Sequence, residues 1–356
     1  MRSARPVGLL LSAAAAVLLW AIGMTVLQPL TEPVGPWSER LPGNNAYWAR
    51  DLRFAAIVAV VLGLVLAGRG RLRWTGPAVL LGGLWTAADV AIDRADPTGT
   101  GWTVLLTAGG CATLGVLVAA LWWRERGAPP AGTDRWALTG AACVAGVLTM
   151  VATGIESPTD REPELNPAAF ATGVLLVALT IGAALAAAPS RTRARCVLAA
   201  GLGVAAVSGV GLIRTIPPGP RALPELALGA VLLTGVTLLA WDWPGGRPAW
   251  RRHAVAALAA LVGPTVLVLV VAIVMIVLLP IGAMFTALAG NSPINAADSD
   301  VLVSLIGLLA GLGMGLLLAW PPALGYRPDP SSPPGPVAPE GPDGPAGRRP
   351  ASAERR

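Results

Sequence analysis

Residues 50–93 read RDLRFAAIVAVVLGLVLAGRGRLRWTGPAVLLGGLWTAADVAID, and this stretch decides the fold. Two apolar runs lie on either side of a short loop that contains Arg69, Arg71 and Arg73. A transmembrane helix needs about 20 mostly apolar residues to cross about 30 Å of hydrocarbon. Because arginine-rich short loops are retained on the cytoplasmic side, the stretch predicts two spanning helices that are joined in the cytoplasm.

The same pattern repeats along the chain, which has 54% hydrophobic and 13% charged residues and a mean hydropathy of +0.65. These values are far from those of soluble proteins. Tryptophans cluster near the ends of the apolar segments, as in the interfacial belt of membrane proteins, and only Trp20 and Trp85 lie well inside. We predict an all-α, polytopic membrane bundle of about ten transmembrane helices, at 7–27, 48–67, 74–92, 102–123, 136–155, 168–188, 196–216, 223–241, 254–289 and 301–320.

Arginines are distributed unequally between the two sides of the membrane that this threading creates. The side of the N-terminus holds nineteen and the opposite side seven, and the chain contains no lysine. The positive-inside rule therefore predicts that both termini are cytoplasmic. The first span lacks a cleavage site after its apolar run, so we interpret it as a retained helix and not as a signal peptide. The Ala-, Gly-, Pro- and Arg-rich composition is typical of a GC-rich bacterium, which indicates the bacterial plasma membrane.

Two parts of the chain depart from a simple series of spans. The apolar segment 254–289 would form about 54 Å of helix at 1.5 Å per residue, too long for one span and short for two. We predict one bent helix, broken near 263–264 or near 280–282, with a re-entrant piece as the alternative. Residues 321–356 are rich in Pro, Gly and Arg. We therefore predict a transmembrane domain at 1–320, followed by a disordered cytoplasmic tail.

Few residues are available for chemistry. No lysine is present for Schiff-base catalysis, His253 is the only histidine, and Cys111, Cys143 and Cys196 lack the spacing of a metal or redox motif. No nucleotide-binding, nucleophile or metalloprotease motif occurs. We expect no cofactor and no metal, and enzymatic activity is not favoured. The pI near 10.4 does not indicate nucleic-acid binding, because most arginines lie in short loops beside spans.

Charges that the topology does not explain lie at the outer ends of the second and third spans. The apolar part of the second span is only 54–67, about 21 Å of helix, so the charges before it lie at or within the membrane boundary. Measured from the shared loop, Arg53 and Asp89 reach nearly the same height, which predicts an ion pair between them. The predicted outer cluster consists of Arg50, Asp51, Arg53, Asp89, Asp93 and Arg94.

Two interpretations of the outer cluster are open. One is a structural salt bridge that neutralises the charges of a short hairpin and orients its helices. The other is a polar pocket, open to the outside and floored by Arg53 and Asp89, that binds a headgroup, a sugar or a metal ion. Glu156, Arg214 and Glu225 also lie at outer helix ends and are candidates to join it.

The last span carries a helix-packing stripe of small residues, Gly307, Gly311 and Gly315, at i, i+4 spacing. Small residues let helix backbones approach closely in lipid. Packing inside the bundle is the expected use, and contact with a second copy or with another membrane protein is the alternative. Hydroxyl groups inside the spans, such as those of Thr86 and Ser304, are expected to bond to carbonyls of their own helix.

These observations favour a non-enzymatic membrane protein, a scaffold or assembly factor of the bacterial cell envelope that acts through helix surfaces and the tail. One alternative is a transporter or lipid flippase for a small molecule or a lipid-linked substrate, which the helix number and the short loops favour. Another is a transferase at the outer membrane face that uses carboxylates at helix ends. The lipid bilayer is the expected partner in every case.

The predicted topology places residues 291–300 outside the cell. In a protein freed of its three cysteines, a single cysteine placed in 291–300 should react with a membrane-impermeant maleimide in intact cells. A single cysteine in 127–132, on the predicted cytoplasmic side, is the control and should react only after permeabilisation. Equal protection of both positions would mean that the segment 254–289 is a hairpin.

Overall fold

A computed structural model describes residues 4–31, 48–126, 132–155, 162–217, 220–290 and 302–319. Helix accounts for 87% of these residues and strand for none, which confirms the predicted all-helical bundle. The helices are α1 (Ala4–Ile22), α2 (Trp48–Ala67), α3 (Leu72–Asp93), α4 (Thr100–Glu125), α5 (Arg135–Gly154), α6 (Glu162–Ala187), α7 (Arg193–Thr215), α8 (Ala222–Ala240), α9 (Trp250–Ile273), α10 (Ile281–Ala289) and α11 (Val303–Ala319).

Within the described ranges, eight helical stretches are long and apolar enough to cross a membrane. They correspond to α1, α3 to α8 and α9 with its extension, so the protein is a multi-pass membrane protein. The other two predicted spans are α2, whose first turns are charged, and α11, which has 17 residues. The total of ten spans and the cytoplasmic termini stay predictions, and the predicted tail lies outside the described residues.

Two helices contain π-helical turns. After α1 the chain continues through the π-helical turn Gly23–Leu27 into the short helix Gln28–Thr31. After α9 a second π-helical turn, Val274–Leu278, leads to a break at Leu279 and Pro280, where the backbone leaves helical geometry before α10.

The break before α10 decides between the two places predicted for the bend. Proline 280 lacks the N–H that would continue the helix, so the helix ends before it. At the alternative place, Gly263 and Pro264, α9 continues without a break. Segment 254–289 is therefore one long helix and one short helix, and α10 packs against α3.

α5 lies at the centre of the bundle, with 83% of its apolar stretch buried. It packs against α2, α6, α8 and α11, and small residues such as Ala142, Ala145 and Gly146 let these neighbours approach. At the periphery, α4 and the extended α9 have only 11% of their apolar stretches buried. The two peripheral helices therefore present most of their apolar surface to the bilayer.

The glycine stripe of α11 faces α5. A Cβ atom at Gly311 would lie 2.6 Å from the Cα of Val144, and one at Gly315 would lie 3.1 Å from the Cα of Gly140. A Cβ atom at Gly307 would lie 3.1 Å from a methyl carbon of Leu148. The stripe therefore serves packing inside the chain, since α5 occupies the face that a second copy would need.

Arginines of the predicted cytoplasmic loops bind the ends of helices. Arg135 donates to the carbonyls of Ala187 and Ala240 at 2.8 and 2.9 Å, and Arg195 donates to the carbonyl of Trp241 at 2.7 Å. The last carbonyls of a helix have no partner within that helix, and cations near them are favourable. These arginines thus close the C-terminal ends of α6 and α8.

The contact between α5 and α11 predicts a large effect of one methyl group. Gly311→Ala should lower the free energy of unfolding by about 1–3 kcal/mol, because the new Cβ meets backbone that cannot move aside. Gly115→Ala on α4 is the control, since a Cβ there meets nothing within 4 Å. Denaturant unfolding in detergent micelles measures both, and equal stability of the two variants would contradict the packing described.

Candidate functional site

The outer cluster is built around the guanidinium group of Arg53 on α2. Its Nε donates to Oδ1 of Asp89 at 3.0 Å and its Nη2 to Oδ2 of Asp89 at 3.2 Å. Nη2 also donates to Oδ2 of Asp93 at 2.9 Å. The predicted ion pair is present, and its residues are buried, with Arg53 and Asp89 both 0% exposed.

Local geometry explains why these three side chains meet. The α2–α3 connection is only four residues, 68–71, so the two helices are antiparallel neighbours and equal distances from the turn give equal heights. Asp89 and Asp93 are one helical turn apart on α3 and therefore face α2 together. One guanidinium with five N–H donors reaches both carboxylates.

α1 and the helical segment that follows it, Gly23–Thr31, complete the environment of Arg53. Nη1 of Arg53 donates to Oε1 of Gln28 at 2.7 Å, and Nε1 of Trp20 donates to Oδ1 of Asp89 at 2.7 Å. The chain passes close to Arg53 at the π-helical turn, where a Cβ on Gly23 would lie 2.7 Å from Cγ of Arg53. Glycine at position 23 therefore makes room for the arginine side chain.

Arg50 and Asp51 join the cluster to the C-terminal helices. Nη1 of Arg50 donates to Oγ1 of Thr286 on α10 at 3.0 Å, and its Nη2 lies 3.9 Å from Oδ2 of Asp93. Oδ1 of Asp51 accepts from the backbone N–H and the hydroxyl of Ser304 at 3.0 and 2.9 Å. Since Ser304 lies in the first turn of α11, Asp51 satisfies the N-terminal end of that helix.

The charges of the outer cluster are balanced. Asp51 faces the positive end of the α11 dipole, and the remaining four groups are two arginines and two aspartates. All five side chains are buried. Hydrogen bonds among α1, α2, α3, α10 and α11 close the cluster, which favours the interpretation as a structural salt bridge over that of a pocket open to the outside.

Arg94 does not belong to this closed group. It is exposed and lies beside Gly290 at the end of α10. The physical reason is helical geometry, since a residue directly after Asp93 points about 100° away around the helix axis. The expectation that Arg94 joins the cluster is thus corrected.

Four residues of the cluster were not among those predicted from the sequence: Trp20, Gln28, Thr286 and Ser304. Only Trp20 carried a signal, because it is one of two tryptophans far from the predicted interfaces, and the other, Trp85, packs edge to face on it at 5.3 Å. Ser304 was expected to bond within its helix, as Thr86 does to the carbonyl of Gly82 at 3.0 Å. It instead binds a carboxylate that lies 253 positions away in the chain.

The other outer charges have their own arrangement. Nε of Arg214 donates to Oδ1 of Asn166 at 2.8 Å, and its Nη1 donates to the carbonyl of Ile155 at 2.7 Å, beyond the end of α5. The carboxylate of Glu225 lies against Gly154. Glu156 lies outside the described residues. Arg214 therefore joins α5, α6 and α7.

The Arg53 pairing predicts non-additive effects on stability. Asp89→Asn should lower the free energy of unfolding by about 3–5 kcal/mol, because the buried guanidinium of Arg53 loses one of its negatively charged partners. The double variant with Arg53→Gln should lose less than the sum of the two single losses. Unfolding in micelles measures this cycle. Arg94→Gln is the control and should change stability by no more than about 0.5 kcal/mol, whereas additive losses in the cycle would contradict direct coupling.

The outer cluster is a network of paired charges. Its carboxylates face arginines, a tryptophan and a helix end, and no three Asp, Glu, His or Cys side chains in the described ranges are placed to hold a metal ion. Such a network ties helices together through directional contacts rather than apolar packing.

No known protein family, curated protein or solved structure matches the chain.

Proposed function

We propose that the protein is a transporter or flippase of the bacterial plasma membrane, which moves a small molecule or a lipid, and that the outer cluster is its outer gate. One observation carries the proposal. A short helix, α10, follows the break in helical geometry at Leu279 and Pro280. The hydrogen bond between Thr286 and Arg50 joins it to the buried charges of α2 and α3.

The free-energy cost of burying these charged groups supports a role beyond holding the helices together. Removing charges from water is costly, and apolar residues of similar shape often stabilise a protein equally well. Ionisable groups inside a membrane domain are for this reason candidates for function. A gate gives such a network a purpose, because the charges of α2, α3 and α10 pair when it is closed and become hydrated when it opens.

The two π-helical turns support the same proposal. One, Gly23–Leu27, passes beside Arg53, and the other, Val274–Leu278, directly precedes the break before α10. π-Helical turns are frequent at functional sites, and discontinuous helices are common in secondary transporters. Both irregular segments therefore adjoin the part of the bundle that a gate would move.

A scaffold or assembly factor is the second candidate function. Its support is the outward face of α9, where large apolar side chains such as Leu258, Leu269 and Val270 are exposed. Lipid would cover this face equally well, so it favours no particular partner. The transferase alternative is not proposed, because the carboxylates that it would use are buried against donors.

Lipid movement in vesicles tests the proposal. The full chain is reconstituted in phosphatidylethanolamine and phosphatidylglycerol vesicles that contain a trace of NBD-phosphatidylglycerol, and dithionite reports the exposed probe. We expect wild type to accelerate probe movement. Asp93→Asn should raise that rate by about tenfold, equivalent to about 1.4 kcal/mol, because Asp93 links Arg53 to Arg50 in the closed gate.

Asp96→Asn is the matched control, since Asp96 is an exposed carboxylate three positions further along the chain. This variant should keep the wild-type rate. Equal rates for Asp93→Asn and wild type would show that the cluster is not the gate. Failure of wild-type protein to move the probe would overturn the flippase proposal for phospholipid and would favour the scaffold.

A further inference from the structure

α3 and α4 are consecutive in the chain but do not pack along each other. α3 packs against α2 and α10, whereas α4 packs against α1. The outer end of α4 is joined to the π-helical turn Gly23–Leu27 by the hydroxyls of Thr25 and Thr103, 2.6 Å apart. Because each helix has a different neighbour, a gap separates them.

The gap is an apolar groove of about 500 Å³. Its walls include Leu84 of α3 and Leu105 and Gly109 of α4, and its floor consists of Trp20 and Trp85. The volume falls within the range of about 300–1,000 Å³ that is typical of small-molecule sites. Both wall helices are long and apolar enough to span a membrane and have little buried surface, which favours an opening of the groove toward hydrocarbon over one toward water.

The dimensions of the groove match one lipid chain. On α3 its lining extends from Leu81 to Ile92, which is about 17 Å at helical rise. This length is about half of the roughly 30 Å hydrocarbon thickness, the depth of one leaflet. The end at Ile92 is the end that holds Asp93, so the groove lies in the half of the bundle that contains the outer cluster.

One side chain connects the groove to the outer cluster. The ring of Trp20 forms part of the floor, and its Nε1 donates to Oδ1 of Asp89 at 2.7 Å. Trp85 supports this ring edge to face at 5.3 Å. A molecule in the groove therefore touches the residue that orients the central carboxylate.

We propose that the groove between α3 and α4 is a binding site for one acyl chain of a membrane phospholipid, and that its occupant bears on Asp89 through Trp20. The inference names the apolar part of the substrate and rests on the proposed function in that respect only. Binding is measured without transport, so the two proposals can fail separately.

Photolabelling in vesicles tests the site. The probe is phosphatidylethanolamine with a diazirine in one acyl chain, and labelled peptides are identified after irradiation of the reconstituted full chain. We expect labelling to be concentrated at the groove walls around Leu84 and Leu105. Gly109→Phe should reduce it about tenfold, the change that corresponds to about 1.4 kcal/mol of binding free energy, because the new ring fills the groove.

Gly115→Phe is the matched control. Both glycines lie on α4 and a Cβ at either meets nothing within 4 Å, but only Gly109 lines the groove. Gly115→Phe should keep wild-type labelling, and thermal unfolding should show that both variants fold. Labelling spread evenly over the outward faces of α4 and α9 would overturn the proposal.

Two further outcomes would assign the groove to another occupant. If a polyprenyl phosphate displaces the acyl probe at a much lower membrane fraction than unlabelled phospholipid does, the ligand is an isoprenoid chain and the acyl assignment is wrong. If cysteines at Leu84 and Leu105 cross-link two copies of the chain, a protein surface covers the groove. Displacement of the probe from wild type by unlabelled phospholipid at a membrane fraction no higher than the polyprenyl phosphate needs, without cross-linking between copies, supports the proposal.

Discussion

The burial of one guanidinium group is the constraint on which the half of the bundle that holds the outer cluster depends. Arg53 is removed from water, and its donors must find acceptors within the protein because lipid offers none. Asp89, Asp93 and Gln28 supply them from two other parts of the chain. The course of α1 follows from this need, since its π-helical turn brings Gln28 within reach and places Gly23 against the arginine side chain.

The bundle is held by two kinds of contact that meet in α11. Along its length, glycines bring the backbone of α11 onto α5, and this contact depends on shape alone. At its first turn, Asp51 binds Ser304, and this contact depends on charge and direction. The central pair α5 and α11 is thus close-packed, whereas the neighbouring hairpin α2–α3 is joined to α11 and α10 by polar bonds. Under the proposed function, polar bonds are the contacts that open and packed glycines are those that persist.

Trp20 links the groove to the proposed gate. Its ring is apolar surface for the groove, and its indole N–H is a donor to Asp89. An indole is suited to this position because one side chain provides both a large apolar face and one directed donor. Under the two proposals, this residue would couple lipid occupancy of the groove to the state of the outer cluster.

Features that depend on near neighbours in the chain were predictable. Apolar runs of span length, arginines in the turns and the equal heights of Arg53 and Asp89 follow from helical rise and a short loop. Even the break at Pro280 has a local cause. The glycine stripe was predictable as a packing surface from its spacing, but the sequence did not predict that its partner is α5.

What the tertiary structure alone decided is the closure of the cluster. The sequence predicted which charges lie near the outer membrane boundary, and it left open whether they face water or protein. Closure required Trp20 from α1, Thr286 from α10 and Ser304 from α11, which lie as many as 253 positions from their partners. No local period encodes such contacts, because they arise from the way that separate helices pack, and packing between distant helices is set by the shape of the whole bundle.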